Sequence, residues 1–132
     1  MPDHFGSSKI SSMRALSVAM VAACPFPVNY GTPGAIRELS ETLSEMGHDV
    51  HVVTYPDGQN LSVGKAVIHR VGRHRPSHHV SAGPSKAKIF LDLSMLWETC
   101  LVVQRQKIQV IHAHAYEGAL IGLFAKLVPV NR

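Results

Sequence analysis

The sequence predicts an α/β fold, a Rossmann-like three-layer sandwich with a mostly parallel sheet. Short apolar segments alternate along the chain with longer segments whose apolar residues recur at helical spacing. The first of these segments, LSVAMVAA, is apolar almost throughout, as expected of a strand buried on both faces. With 132 residues, of which 45% are hydrophobic, the chain can form one domain with a sizeable core.

The first half of the chain predicts a strand, a turn, a helix and a second strand. Residues 16–23 form the first strand, and a turn rich in proline and glycine follows. Thr32 is the expected N-cap of the helix and Pro33 its first residue, while Gly47 ends the helix as a C′ glycine. Residues 50–54 (VHVVT) form the second strand. The side chains expected on the buried face of the helix are Ile36, Leu39, Leu43 and Met46.

The second half predicts a short strand at residues 66–71, plausible at a sheet edge, and a loop at 72–84. Ser85 then caps a long helix over residues 86–106. A strand at 108–113 and a mostly apolar helix at 116–127 complete the order β-α-β-β-α-β-α. The expected core face of the long helix consists of Ile89, Phe90, Leu93, Leu96, Trp97, Cys100 and Leu101.

The chain ends at residues 128–132, where this order calls for another strand, so we expect the sheet to be truncated. Residues 1–12 are polar and are expected to be a disordered leader without the apolar core of a signal peptide. Residues 13–132 are then one incomplete Rossmann-like domain. Two distant cysteines, Cys24 and Cys100, give no disulfide framework and favour a cytoplasmic setting.

The charge distribution indicates an anionic partner. The formal net charge is +4, and residues 58–91 contain six lysines and arginines but no acid. No aromatic residue lies between Tyr55 and Phe90, so the stacking surface of a nucleic-acid site is missing there. The basic segment 65–88 therefore predicts either peripheral contact with the inner face of a membrane or simply a solvated loop.

The turn after the first strand is the first candidate ligand site. Gly31, Thr32 and Gly34 lie where backbone N–H groups at a helix N-terminus can approach a phosphate. The dinucleotide pattern G-x-G-x-x-G is absent, and Thr54-Tyr55, rather than an acid, ends the second strand. A nicotinamide dehydrogenase is therefore disfavoured. The alternative is that the two glycines only make a tight turn.

The second candidate site is the histidine pair His112 and His114, two residues apart on one strand and therefore on one face of it. A catalytic zinc needs a third ligand, and only Glu117 is near in sequence, so we expect no metal. His112 is expected to be a satisfied core histidine. His114, past the strand end and beside a helix N-terminus, is expected to donate to a phosphate or a sugar hydroxyl.

Two segments together resemble the amino-terminal half of a family 4 (group 1) glycosyltransferase of the GT-B fold. They are YGTPGAIRELSETLSEMGHDVHVVT, residues 30–54, and QVIHAHAYEGALIG, residues 109–122. The chain departs from the family pattern at Thr32-Pro33-Gly34, where two glycines are usual, and the usual first-turn glutamate is absent. The matches to the family's GH-x-V-x-V-x-T are Gly47, His48, Val50, Val52 and Thr54.

The resemblance implies a two-domain enzyme that moves a sugar from a nucleotide-diphosphate sugar to an acceptor with retention, using no metal or other cofactor. This half would hold the acceptor and close over the donor diphosphate. His114 would be the catalytic histidine that contacts the transferred sugar and phosphate. The substrate-binding residues carried over by position are Gly31, Thr32, Gly34, Tyr116 and Glu117.

Other functions stay open at this stage. The nucleotide-binding half is missing from the chain, so we expect the chain alone not to turn over. One alternative is a stand-alone Rossmann-like binding module without catalysis, completed by a homodimer through the exposed sheet edge. Another is a metallohydrolase that uses His112 and His114.

Overall fold

A computed structural model describes residues 14–71 and 86–127 of the chain. Within these ranges the elements follow the predicted order, and their bounds differ from the predicted ones by no more than about two residues. The loop 72–84, the cap Ser85 and the leader 1–12 lie outside the described residues. The elements are β1 (Ser17–Ala22), α1 (Gly31–Glu45), β2 (Asp49–Thr54), β3 (Val67–Arg70), α2 (Lys86–Arg105), β4 (Val110–His114) and α3 (Ala115–Leu127).

The described strands form one parallel sheet in the order β3-β2-β1-β4. This confirms the predicted α/β class and the predicted edge position of β3. β1 is central because its apolar side chains are buried on both faces of the sheet. In the register, Ala22 lies opposite Thr54 on one side and His114 on the other. The carboxyl ends of these three strands therefore share one edge.

Two apolar cores sandwich the sheet. Along β1, Met20 belongs to the core on the α1 side and Val21 to the core beneath α2 and α3, because successive side chains of a strand point to opposite faces. Ile36 is the buried apolar side chain of α1 in the first core, whereas Met95 of α2 and Ile121 of α3 belong to the second core. Helices thus cover both faces, which confirms the three-layer sandwich.

Helix α1 begins two residues earlier than predicted. Its N-cap is Tyr30, which makes no side-chain capping hydrogen bond, so the expectation that Thr32 caps the helix and Pro33 starts it is wrong. The physical reason is Gly31, whose φ of +61° turns the chain into the helix at a position where a Cβ would be strained. The N–H of Gly34 then donates to the carbonyl of Tyr30 at 3.2 Å.

The carboxyl end of α1 confirms the predicted glycine stop. Gly47 has φ +92°, its N–H donates to Ser44 O, and the N–H of His48 donates to Leu43 O, both at 3.1 Å. This pair of bonds is a Schellman motif. Met46 was expected in the core but is the C-cap and is exposed, because the helix ends before its side chain can turn inward.

Helix α2 faces the sheet with a different side from the one predicted. Leu91, Met95, Thr99 and Val102 are buried, whereas Trp97 is exposed over 68% of its surface. Apolar residues occur on nearly every side of this helix, so their spacing alone cannot decide which side is buried. The residues that were expected in the core and are instead exposed are Ile89, Phe90, Leu93 and Trp97.

No helix within residues 14–71 and 86–127 is both long enough and apolar enough to cross a bilayer.

Candidate functional site

The candidate site lies at the carboxyl edge of the sheet. β1, β2 and β4 end there at Ala22, Thr54 and His114, which are neighbours in the register, and Arg70 ends β3 beyond Thr54. The loop from β1 to α1 leaves from the same edge. In open parallel sheets this edge is where ligands bind.

Hydrogen bonds hold the β1–α1 loop against the segment that follows β2. The hydroxyl of Thr54 donates to the carbonyl of Cys24 at 2.7 Å. The N–H of Phe26 donates to Asp57 O at 2.9 Å, and the N–H of Gln59 donates to Pro27 O at 2.7 Å. The loop is therefore positioned by its neighbour rather than left free at the sheet edge.

Arg70 reinforces this contact, a role that the sequence did not indicate. Its Nη1 donates to the carbonyl of Phe26 at 2.6 Å and approaches that of Asp57 at 3.4 Å. In the sequence, Arg70 belongs to the basic segment 65–88, for which an anionic partner is predicted. Because its guanidinium is bound to backbone carbonyls, it instead ties the first loop to β3.

The predicted phosphate-binding residues lie at the start of α1. Gly31 and Thr32 are exposed and Gly34 is half-buried. Helix α1 has no acidic residue in its first turn, so its positive N-terminal end is not neutralised locally. The amide of Gly34 is already bonded to Tyr30. The exposed Gly31 and Thr32 are thus the more accessible candidates for a ligand.

The two histidines of β4 stack on each other, with ring centroids 4.4 Å apart and planes 17° from parallel. His112 is exposed, so the expectation of a satisfied core histidine is wrong. His112 lies opposite Met20 and on the same face of the sheet as α1. Helix α1 packs on β1 and β2 and does not extend over β4. The position of His112 on an edge strand therefore leaves it open to solvent.

His114 is half-buried and is the last residue of β4, rather than lying past the strand as predicted. Its Nε2 is buried and has no hydrogen-bond partner among the described residues. Burial, and then the neighbouring His112, lower the pKa of His114 below its usual 6.5. A neutral imidazole at neutral pH can donate one hydrogen bond and accept another.

The remaining predicted residues, Tyr116 and Glu117, belong to the first turn of α3, which begins directly after His114. Their side chains lie outside the described part of the structure. Among the residues whose side chains the structure describes, which exclude 86–88 and 115–118, no group of three or more histidine, cysteine or acidic side chains could hold a metal ion. Burial raises the pKa of Cys24 at this edge to about 11, so its thiol is not an activated nucleophile.

A polar cluster that sequence reasoning missed lies between the sheet and α2. His51 Nδ1 and His69 Nε2 are 2.9 Å apart, and His69 Nδ1 is 3.9 Å from the carboxylate of Glu98. His51 Nε2 also lies 3.1 Å from Asp49 Oδ2 but makes no hydrogen bond among the described residues. A cavity of about 240 Å³ opens beside this cluster, lined by Ile68, His69, Arg70 and Glu98.

The parallel sheet with helices on both faces defines the class of the chain, a Rossmann-like domain. The comparison with known families then identifies it more closely. The chain belongs to the glycosyl transferase 4-like domain family, which matches residues 31–130. This confirms the family that the two sequence segments resemble. A comparison with curated proteins finds no match.

Proposed function

We propose that the chain is the acceptor-side half of a glycosyltransferase that moves a sugar from a nucleotide-diphosphate sugar to an acceptor with retention. A second Rossmann-like half would supply the nucleotide site. The family match and the parallel sheet support this assignment. No metal or other cofactor takes part in the proposed reaction.

The observation that carries the proposal is the position of Ala22 between Thr54 and His114. Through this register, the β1–α1 loop and the catalytic candidate His114 leave the same edge of the sheet. A ligand at that edge could contact the N-terminus of α1 and the imidazole together. A sugar or a diphosphate, which offers several oxygen atoms, suits such a pair of donors.

His114 is proposed to contact the transferred sugar and the phosphate through its imidazole. Leaving a buried polar atom without a partner costs about 1–3 kcal/mol, and a ligand oxygen that reached Nε2 would recover that free energy. Because Nε2 is covered here, such a contact requires adjacent atoms to move. Stabilisation of the leaving diphosphate by fixed donors would be the main catalytic contribution.

Gly31, Thr32 and Gly34 are proposed to approach the diphosphate or the acceptor at the N-terminus of α1. The absence of acid from the first turn of this helix favours an anion there. Tyr116 and Glu117, in the first turn of α3 directly after His114, are also proposed to contact the substrate.

The first test is to read the gene past the codon for Arg132. A reading frame that continues into a second Rossmann-like domain with two spaced glutamates is the expected result. The purified 132-residue chain should then show no sugar transfer, whereas the complete product should. Transfer by the 132-residue chain alone would contradict the proposal.

A second test addresses His114 in the complete product. We expect His114→Ala to lower kcat by roughly 10²–10³-fold, the range measured for removal of one transition-state donor. His48→Gln is the matched control, because His48 precedes β2 at the opposite edge of the sheet and accepts a bond from Leu16 N. Equal losses of kcat in the two variants would contradict a role for His114 in the active site.

A stand-alone binding module is the second candidate function. It is favoured by β4, whose outer side pairs with no described strand and could pair with a second copy. A stop codon directly after Arg132 would support this alternative over the transferase.

We also propose a cytoplasmic location, with contact between the basic segment 65–88 and the inner face of the membrane. Part of this segment lies outside the described residues. Binding to anionic vesicles should weaken as salt is added, because exposed charges are screened. Vesicle binding that is independent of salt would contradict the electrostatic contact.

A further inference from the structure

The outer surface of α2 and α3 is unusually apolar. The two helices pack side by side on one face of the sheet, so their outward sides adjoin. Eight large apolar side chains on them are exposed, by 47% to 68% of their surface. We call this surface the α2–α3 face; it consists of Ile89, Phe90, Leu93, Trp97, Leu120, Leu123, Phe124 and Leu127.

Helix α2 is apolar on its outer side as well as on the side that packs against the sheet. Its two acids, Asp92 and Glu98, are only partly exposed and turn toward the sheet. Asp92 accepts a hydrogen bond from the Tyr55 hydroxyl at 2.8 Å, and Glu98 lies 3.9 Å from His69. A helix that directs its acids inward and Trp97 outward is expected when its outer side is covered by a partner.

The area of the face matches that of a protein interface. If a fully exposed large apolar side chain presents roughly 200 Å², the exposed fractions correspond to about 900 Å² of apolar surface. A standard interface buries ~800 Å² on each partner, and a monomer seldom exposes an apolar patch beyond a few hundred Å².

The composition of the face favours a protein partner over a membrane. Trp97, Phe90 and Phe124 are of the aromatic types enriched in interfaces. Lys86 and Lys88 belong to the first turn of α2, so this end of the face adjoins the basic segment 65–88. The other cations of the two helices, Arg105 and Lys126, belong to their last turns, so the cations lie at helix ends. A surface that docks on anionic lipid would instead carry cations along its length. The charge-poor middle of the face is what the centre of a protein interface requires.

We propose that the α2–α3 face binds the same face of a second copy of this chain. With a two-fold axis through the face, α2 and α3 of one protomer would pack against α2 and α3 of the other. All eight side chains of each protomer would then be buried. This interface differs from pairing at the β4 edge, and it does not depend on the proposed transferase function.

The single tryptophan of the chain reports on this interface directly. Trp97 is 68% exposed in one protomer and would be covered in the dimer. As the concentration of the 132-residue chain rises through the micromolar range, its mass in analytical ultracentrifugation should double. Over the same range the Trp97 emission should shift to shorter wavelength, and acrylamide should quench it less.

Two variants test the face while keeping the tryptophan. Leu93→Glu and Leu123→Glu each place a charge in the apolar interface twice per symmetric dimer, so we expect the dimer Kd to rise roughly tenfold to a hundredfold. Met46→Glu is the matched control, because Met46 is an exposed apolar residue at the end of α1, on the other face of the sheet. Far-ultraviolet circular dichroism should show the same helix content in every variant.

Three results would overturn the proposal. The first is a monomer at every concentration. The second is a dimer that is unaffected by Leu93→Glu and leaves the Trp97 emission unchanged, which would indicate the sheet edge. The third is a monomer whose emission shifts on binding neutral phosphatidylcholine vesicles, which would indicate a bilayer. None of these results bears on whether the chain belongs to a transferase.

Discussion

His114 combines a covered nitrogen with a neighbour that discourages protonation. Its Nε2 has no partner among the described residues, and the stacked ring of His112 lies 4.4 Å away. Burial is the larger cause of its lowered pKa, and the charge of His112 is the smaller one. The contributions of burial and of His112 to this lowered pKa can be separated by experiment, because the second comes from one side chain that can be substituted.

Replacing that side chain should raise the pKa of His114. In His112→Asn the nearby positive charge is gone, so protonation of His114 becomes easier. The pKa should still stay below 6.5, because burial is unchanged. Titration of the His114 Hε1 resonance by NMR measures this, with His48→Gln as the control. An unchanged or lower pKa would contradict the assigned cause.

The sequence predicted which residues of β4 carry chemistry but not how exposed they are. The spacing of His112 and His114 places both on one face, and the structure stacks their rings. Whether that face is covered depends on where α1 lies over the sheet, which is a tertiary property. His112 was therefore assigned to the core and is exposed.

At the scale of elements, the β1–α1 loop depends on Arg70 of β3. Arg70→Met removes the donor to Phe26 O and Asp57 O but keeps an unbranched apolar stem. We expect the free energy of unfolding to fall by about 1.5–3 kcal/mol, as for hydrogen bonds to a charged group. Urea denaturation measures it.

Arg105→Met is the control for this substitution, because Arg105 is exposed in the last turn of α2. An equal loss of stability in the two variants would mean that the Arg70 hydrogen bonds contribute nothing.

The elements themselves were largely readable from the sequence. The apolar run of β1 and the glycine after α1 identify a buried strand and a helix end, because each reflects a local requirement. The side of α2 that faces the sheet was not readable. It follows from contacts of Asp92 with Tyr55 and of Glu98 with His69, which join segments far apart in the chain.

At the scale of the whole molecule, the His51–His69–Glu98 cluster makes stability depend on pH. Burial and then His51 lower the pKa of His69, while Glu98 raises it. The unfolded chain therefore binds a proton near pH 6.5 that the folded chain resists. The free energy of unfolding should be steady at higher pH and fall as pH drops through 6.5 toward the lower folded pKa.

Two variants check the direction of this effect. His69→Gln should reduce the dependence, because it removes one titrating histidine, while His114, whose pKa is also lowered, keeps its contribution. Glu98→Gln removes the carboxylate that raises the pKa of His69, so the loss of stability should grow and extend to lower pH. Urea denaturation across this pH range measures both. A wild-type slope retained in His69→Gln would assign the dependence to another group.

The register of the central strand also bears on how the chain folds. β1 pairs with β2 after a connection that includes one helix, whereas its pairing with β4 joins Val18 and Val110, 92 residues apart. Because closing a loop lowers the entropy of the chain, closing the longer loop costs about 1 kcal/mol more free energy than closing the shorter one. β4 should therefore dock after β2, and the edge that carries His114 should acquire protection from hydrogen exchange last. The pairing of β1 with β2 would then form before the proposed ligand site is complete.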